Sequence, residues 1–219
     1  MVDKVKIGVI GYGVIGKRVA DAVHAQSDME LIGVADIISD ARIEIAQHRG
    51  YPIYCWDPSF KEAFSKSGVE IAGVDKDFID QVDLVVDCTP KGIPQRNREK
   101  LNGIPTIVQG GEQHRSSDAS FSTFANYSEA MGKKNVRVVS CNTTGLARVL
   151  SSLDRVYGIE NTFISLVRRA ADPVRTNRGP INGVVPVLGI SHHGPDVVTV
   201  MPQLNGKVYS LAVAASFTL

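Results

Sequence analysis

The feature that most constrains the fold of this chain is a glycine motif near its start. Gly11-Tyr12-Gly13-Val14-Ile15-Gly16 reads G-x-G-x-x-G, follows the apolar run "VKIGVI" and leads into "VIGKRVADAVHAQ", where apolar residues recur at helical spacing. In such a strand–turn–helix unit, Gly11 forms the tight turn, Gly13 lets the backbone approach a pyrophosphate, and Gly16 lets helix and strand pack closely. The helix N-terminus then favours the anion. The motif predicts dinucleotide binding, and the alternative is a turn that uses its glycines only for packing.

An acidic residue stands where the ribose of such a dinucleotide would lie. Asp36 ends the apolar run "MELIGVAD", 20 residues after Gly16. A carboxylate at this place accepts hydrogen bonds from the ribose hydroxyls and repels a 2′-phosphate. Asp36 therefore favours NAD over NADP.

Apolar runs alternate with helical segments along the first part of the chain. The strand candidates are "VKIGVIG", "MELIGVAD", "VDLVVDCTP", "PTIVQGG" and "VRVVSC". Near-continuous apolar strands between helices indicate a parallel sheet covered on both faces. We therefore expect an α/β fold, with a Rossmann-type doubly wound sheet over residues 1–140 and a second, site-building part over residues 141–219.

Two more turns follow strand candidates, "DCTPKG" at 87–92 and "QGGE" at 109–112. Ligands of a doubly wound sheet lie beyond the carboxyl ends of its strands, so both turns should face the cofactor. Gly110 and Gly111 would let backbone amides approach it closely. Ordinary strand-to-helix turns are the alternative.

The stretch "VVSCNTTGL" places Cys141 at the end of a strand and the start of a helix. Helix amides at this point would stabilise a thiolate and, with the Asn142 side chain, could form an oxyanion hole. Thr143 and Thr144 could cap the helix or bond a substrate phosphate. A small buried cysteine is the alternative, and it is the reading we prefer for Cys55 and Cys88.

A later segment, "DPVRTNRGPINGVVPVLGISHHGPD", is rich in Pro, Gly, Arg and His. Arg178, His192 and His193 there could form a phosphate pocket, and a solvated surface loop is the alternative.

Composition narrows the class of protein. The formal net charge of the 219 residues is +1, so a polyanion such as nucleic acid is not the expected partner. No apolar segment reaches the length of a membrane span, and the three cysteines have neither disulfide-framework nor metal-ligand spacing. We expect a cytoplasmic protein with no membrane association and no metal site.

Six motifs together resemble one family. "GYGVIGKRVADA", "QGGE", "VVSCNTTGL", "RRAADP", "GPINGVVP" and "SHHGPD" look like the archaeal-type (type II) phosphorylating glyceraldehyde-3-phosphate dehydrogenases, in the same order and over essentially the whole chain. The resemblance implies that residues 141–219 are part of an α+β catalytic domain. It also implies a cytoplasmic enzyme of glycolysis or gluconeogenesis and a homotetramer when full length.

The resemblance also implies a reaction and residues for it. The Cys141 thiolate attacks the aldehyde of glyceraldehyde 3-phosphate, hydride passes to the nicotinamide, and inorganic phosphate cleaves the thioacyl enzyme to 1,3-bisphosphoglycerate. Ser140 and Asn142 flank the cysteine at the substrate, and His192 and His193 contact the substrate.

The same comparison of motifs assigns further residues to the cofactor. Val14, Ile15, Gly111 and Arg169 match positions at the family's dinucleotide site.

The chain departs from the family pattern in two ways. Family members often have a basic residue in place of Asp36 and many accept NADP, so we expect NAD here with NADP as a possible second cofactor. Family members are also longer, and the histidine that acts as their general base follows the strand with which this chain stops at Leu219. We expect the sequence to be a fragment that is inactive alone.

Two other functions fit the same residues. One is a semialdehyde or acyl-phosphate reductase with the same cysteine chemistry. The other is a dinucleotide-binding module without catalysis.

Overall fold

The computed structural model describes residues 3–109, 111–168 and 189–214. The chain divides into two compact units. The first contains Met1–Ser120 and Ala130–Val138, and the second contains Phe121–Glu129 and Val139–Leu219. The second unit thus includes a short segment that precedes the boundary expected at residue 140.

An eight-stranded sheet forms the centre of the first unit. Its strands are β1 (Val5–Ile10), β2 (Met29–Asp36), β3 (Ile53–Cys55), β4 (Gly73–Val74), β5 (Leu84–Asp87), β6 (Thr106–Val108), β7 (Ala119–Phe121) and β8 (Asn135–Val138). They lie in the order β4-β3-β2-β1-β5-β6-β8-β7. Neighbours from β4 across to β8 pair in parallel. This is the doubly wound, Rossmann-type sheet that the sequence predicts, and its strand order reverses between β1 and β5.

Helices connect these strands. They are α1 (Val14–His24), α2 (Ala41–His48), α3 (Lys61–Lys66), α4 (Asp75–Ile79), α5 (Ile93–Leu101) and α6 (Thr123–Ala130). The last of these is interrupted at Asn126, whose backbone is not helical, and most of it belongs to the second unit.

The core of the first unit lies on both faces of the sheet. Val9 of β1 packs in a cluster with Ala20 of α1 and Ile43 of α2. Its neighbour Ile10 packs on the other face, in a cluster that contains Phe78 of α4. Successive strand residues point to opposite faces, so a strand buried on both sides must be apolar at every position. This explains why β1 is apolar over Ile7 to Ile10, the residues that are buried.

In its described residues, the second unit contains two further helices and a small sheet. The elements are α7 (Cys141–Tyr157), β9 (Thr162–Arg168), α8 (His193–Val198) and β10 (Val208–Ala214). Strands β9 and β10 pair in parallel. Ala147 and Leu150 of α7 pack in one cluster with Val197, Val200 and further apolar residues. A long amphipathic helix here buries one face and exposes the other.

Among the helices of the described residues, none is both long and apolar enough to cross a lipid bilayer.

Candidate active site

The glycine turn after β1 is built as close packing requires. Gly11 has a φ of 84°, and a Cβ at this residue would lie 3.0 Å from the backbone nitrogen of Thr89. At Gly16 a Cβ would lie only 1.9 Å from the carbonyl oxygen of Gly11. Both positions therefore need glycine, one for its backbone conformation and both for the approach of neighbouring backbone.

Gly13 has a different surrounding. In the part of the chain that the structure describes, a Cβ at this residue would meet only Nη1 of Arg42, at 3.8 Å. Gly13 is also the N-cap of α1, with no side-chain cap and no acidic residue in the first helical turn. The first amides of α1 are thus left to an anion, and the exposed side chains of Val14 and Ile15 stand beside them. This surrounding fits a pyrophosphate.

Asp36 lies at the end of β2, as the sequence predicts, and ties two turns together. Its Oδ2 accepts a hydrogen bond of 2.8 Å from the backbone N–H of Tyr12. Its Oδ1 accepts hydrogen bonds from the N–H groups of Ile37 and Ile38, at 2.8 and 3.1 Å. The carboxylate therefore holds the glycine turn against the turn after β2, a role that the sequence does not reveal.

The turns after β5 and β6 are linked by a buried carboxylate. Oε1 of Glu112 accepts a 2.5 Å hydrogen bond from the N–H of Gly92, and Glu112 is 4% exposed. Gly111 has a φ of 79°, and no atom of the described residues lies within 4 Å of a Cβ placed on it. The backbone of the second turn is thus open at Gly111, while Gly110 lies outside the described residues.

A buried polar chain lies beneath these turns. Oδ1 of Asp87 accepts a hydrogen bond from the N–H of Thr89, and its Oδ2 accepts one from Nδ2 of Asn97. Oδ1 of Asn97 in turn accepts from the indole N–H of Trp56 at 2.8 Å. Burial raises the pKa of Asp87 above its usual range, against the lowering effect of these hydrogen bonds.

The three cysteines differ in access. Cys55 is buried, Cys88 is half-buried and Cys141 is exposed. Burial raises the pKa of the Cys88 thiol to about 12, with a smaller contribution from the neighbouring carboxylate of Asp87. Burial likewise raises the pKa of Cys55. Of the three thiols, only that of Cys141 is open to a substrate.

Cys141 is the first residue of α7, a helix of 17 residues. Ser140 is its N-cap, and the Ser140 Oγ accepts a hydrogen bond from the backbone N–H of Thr143. The Ser140 carbonyl accepts from the N–H of Thr144 at 2.7 Å. Within the described part of the chain, the N–H groups of Cys141 and Asn142 have no backbone partner. Two such N–H donors beside a thiol can bind the carbonyl oxygen of a substrate, which becomes negative when the sulfur attacks the carbonyl carbon.

The structure brings Asn142 and His193 into contact. Nδ2 of Asn142 lies 3.1 Å from Nε2 of His193, and the other ring nitrogen, Nδ1, lies 2.5 Å from Oγ of Ser191. Since an amide nitrogen is a donor, Nε2 is the acceptor and the ring proton is on Nδ1, facing Ser191. His193 is 4% exposed, whereas His192 is exposed and its ring stacks on that of His193 at 4.1 Å.

A second connection runs between α7 and α8. Thr143 is fully buried, and its hydroxyl donates to Oδ2 of Asp196 at 2.7 Å. The Oγ of Ser140 lies 2.9 Å from the same hydroxyl. Thr143 therefore fixes the beginning of the cysteine helix to the first turn of α8 rather than facing a substrate.

Sequence reasoning placed the paired histidines in a loop, and this was wrong for His193. His193 begins the short helix α8, and His192 is its N-cap. The apolar "VV" after "SHHGPD" buries Val197 in the core of the second unit, so a helical turn forms where Gly and Pro suggested a loop. Arg169 and Arg178 lie outside the described residues.

Comparison with known proteins gives a consistent picture. Residues 140–218 match the family model described as glyceraldehyde 3-phosphate dehydrogenase, C-terminal domain. The glyceraldehyde-3-phosphate dehydrogenase of Methanosarcina mazei is 46% identical over 214 residues, which are 96% of this chain and 64% of the relative. That of Methanothermobacter thermautotrophicus is 43% identical over 219 residues, covering 98% of this chain and 64% of the relative. That of Thermococcus kodakarensis is 48% identical over 203 residues, covering 91% and 60%.

The chain thus spans less than two thirds of the length of the curated relatives it matches, at 60 to 64% of the three named here. The match nevertheless runs through almost all of the chain itself and includes both the glycine turn and the cysteine helix. The resemblance found in the sequence motifs is confirmed, and the chain is a homologue of the archaeal glyceraldehyde-3-phosphate dehydrogenases.

Proposed function

We propose that this chain belongs to a phosphorylating aldehyde dehydrogenase that oxidises D-glyceraldehyde 3-phosphate to 1,3-bisphosphoglycerate with NAD and inorganic phosphate. The observation that carries the proposal is the position of Cys141, an exposed thiol on the first turn of α7 beside two amides that have no backbone partner among the described residues. The homology to archaeal enzymes of this name supports the substrate.

The residues of the first unit fit a nicotinamide dinucleotide. The open face of Gly13 and the uncapped amides of α1 suit the pyrophosphate, and Asp36 suits the ribose. Gly11, Gly16, Val14 and Ile15 complete the turn, with Gly110, Gly111 and Arg169 proposed as further cofactor residues. When bound, the nicotinamide supplies a hydride acceptor.

The second unit supplies the nucleophile. Sγ of Cys141 attacks the aldehyde carbon, and the N–H groups of Cys141 and Asn142 donate to the oxygen that becomes negative. The Asn142 side chain is held by Nε2 of His193, so its amide is fixed before the substrate arrives. We assign the exposed His192 to the substrate phosphate, and Ser140 to the support of the helix start.

His193 orients Asn142, and because its Nε2 lone pair is used in that contact, its ring is not assigned as the general base. The proposal also places the complete protein in the cytoplasm as a homotetramer.

The experiment compares two cysteine-to-serine variants. In the complete protein, we expect Cys141→Ser to abolish formation of NADH from glyceraldehyde 3-phosphate while NAD affinity measured by calorimetry stays within twofold (~0.4 kcal/mol). Cys88→Ser is the matched control, because it changes the same atoms at a thiol held behind the surface. Turnover that survives in Cys141→Ser would refute the role of Cys141.

Substrate choice is tested on the complete protein. A phosphorylated aldehyde should turn over faster than a non-phosphorylated semialdehyde. The reverse order would favour a semialdehyde reductase instead.

A further inference from the structure

Three charged side chains meet where α2 begins, next to the glycine turn of the first unit. Asp40 is the N-cap of α2 and accepts a hydrogen bond from the backbone N–H of Arg42 at 2.9 Å. Asp36 ends the preceding strand. In a fold of this type the ribose of the adenosine lies beside the acidic residue at the end of β2.

Arg42 is held by Asp40 through a two-pronged contact. Nε of Arg42 donates to both carboxylate oxygens, at 3.0 and 2.8 Å, and Nη2 donates to Oδ2 at 2.6 Å. These hydrogen bonds lower the pKa of Asp40 and raise that of Arg42, so the pair is charged over the ordinary pH range. Bidentate pairs of this geometry are among the stronger ion pairs.

The remaining nitrogen of Arg42 faces the cofactor turn. Nη1 lies 3.8 Å from the place of a Cβ on Gly13, and within the described residues it makes no hydrogen bond. The guanidinium is therefore next to the turn but anchored on its other side. Its side chain is 38% exposed, as is that of Asp40, so a change of rotamer meets no core packing.

Asp36 is held in place and cannot replace Asp40 as the partner of Arg42. Both of its oxygens are bonded to backbone N–H groups of the two adjoining turns, including that of Tyr12. The cluster thus has two carboxylates and one guanidinium, and its formal charge is negative. A 2′-phosphate, which carries up to about two negative charges, would enter a site of its own sign.

We infer that Asp40 sets the choice of cofactor by withholding Arg42 from a 2′-phosphate, so that NAD binds and NADP is rejected. The inference rests on the proposed dinucleotide site and adds to it a residue outside the glycine motif. Arg42 is a suitable phosphate ligand by type and by position, and its pairing with Asp40 keeps it from acting as one.

The test uses the full chain and four titrations by calorimetry, with NAD, NADP, 5′-AMP and 2′,5′-ADP as the probes. Asp40→Asn keeps the helix cap, since Asn and Asp are equivalent N-caps, but removes the charge that holds Arg42. We expect the affinity for NADP and for 2′,5′-ADP to rise about tenfold, because the released Arg42 guanidinium can then pair with the 2′-phosphate. The affinity for NAD and 5′-AMP should stay within about twofold.

Variants of Arg42 separate this explanation from a simple loss of negative charge. Arg42→Gln alone should give no gain in NADP affinity, because it removes the guanidinium and leaves both carboxylates of the cluster. Arg42→Gln combined with Asp40→Asn should remove the gain. A gain that persists in the double variant, no gain in Asp40→Asn, or stronger NADP binding in Arg42→Gln alone would each overturn the inference.

A failure of the proposed function would give a different result from a failure of this inference. If the parent chain binds neither NAD nor NADP, the dinucleotide site itself is wrong, and the inference falls with it. If the parent binds both equally, the site stands and only the role of Asp40 is refuted. Thermal melting of each variant shows that it is folded, and Asp40→Ser, which also caps a helix, replaces Asp40→Asn if that variant does not fold.

Discussion

Two glycines of the same turn should respond in opposite ways to the same added methyl group. Gly16→Ala puts a Cβ 1.9 Å from the carbonyl oxygen of Gly11, where 3.4 to 4 Å is ordinary contact. The atom it meets is backbone and cannot rotate away. Gly13→Ala puts a Cβ 3.8 Å from the end of the flexible Arg42 side chain, with φ −79° and ψ −158° already suited to alanine.

The magnitudes follow from this geometry. Overpacking costs about 1 to 3 kcal/mol, and a backbone obstacle places Gly16→Ala near the upper end, at about 3 kcal/mol. Alanine regains about 1 kcal/mol of helix propensity, which leaves a net loss of about 2 kcal/mol. For a chain of this size that lowers the melting temperature by about 4 to 8 °C. For Gly13→Ala, a cap loss of about 0.5 kcal/mol is offset by a similar entropic gain, so the melting temperature should hardly change.

For ligand binding, Gly13→Ala should be the damaging substitution, although it hardly changes the melting temperature. The Gly13 methyl group would stand where the pyrophosphate must approach the amides of α1. Losing hydrogen bonds to a charged group costs about 1.5 to 3 kcal/mol, so NAD affinity should fall at least about tenfold in Gly13→Ala. Unfolding of the first unit can be followed by the fluorescence of Trp56, the one tryptophan of the sequence, which is 5% exposed.

The result that would refute this reasoning is a matched response. If Gly13→Ala melts as low as Gly16→Ala, the two glycines do not have the separate surroundings described above. If Gly13→Ala binds NAD as the parent does, the second glycine is not at the pyrophosphate.

Three further predictions follow from the described contacts. Thr143→Val should lower the free energy of unfolding by about 2 kcal/mol, because it removes a buried hydrogen bond to the Asp196 carboxylate without leaving a cavity, and Thr143→Ser should restore most of it in urea titrations. A thiol reagent at neutral pH should modify Cys141 quickly and leave Cys88, whose thiol has its pKa raised to about 12, unmodified in the folded protein, as peptide mass mapping would show. The folded state holds the Asp87 proton to a higher pH than the unfolded state, so this carboxyl contributes most to stability below about pH 4 and the contribution is lost as the pH rises through its raised pKa. The melting temperature of the parent should accordingly fall relative to that of Asp87→Asn as the pH rises above about 4. A difference between the two that does not depend on pH would contradict this.

The elements of the sheet that were predictable are those with strong local signals. Strands β1, β2 and β5 are apolar at nearly every position because both of their faces are buried, and such runs stand out in a sequence. Strands β3, β4 and β7 have only two or three residues and no such signal. Their positions depend on pairing with strands that are already in place.

The residues of the candidate site also differ in how far the local sequence predicts them. Gly11, Gly16 and Cys141 could be found because each depends on its own backbone and on the element next to it. The hydrogen-bond partners of the polar groups could not be found, because they are distant in the sequence. Tyr12 is 24 residues from Asp36, and His193 is 51 residues from Asn142. Only the folded chain decides which of many polar residues meet.

Thr143 shows how a single buried contact settles a choice that the sequence leaves open. Its hydroxyl, three residues after the N-cap Ser140, could have capped the helix or bonded a phosphate. In the structure it is fully buried and donates to Asp196. A fully buried hydroxyl that donates to a carboxylate has a charge-assisted hydrogen bond that it would lose by turning to a solvated phosphate. Thr143 therefore acts on the reaction only through the position of Cys141 and Asn142, and a variant of Thr143 should change turnover without abolishing it.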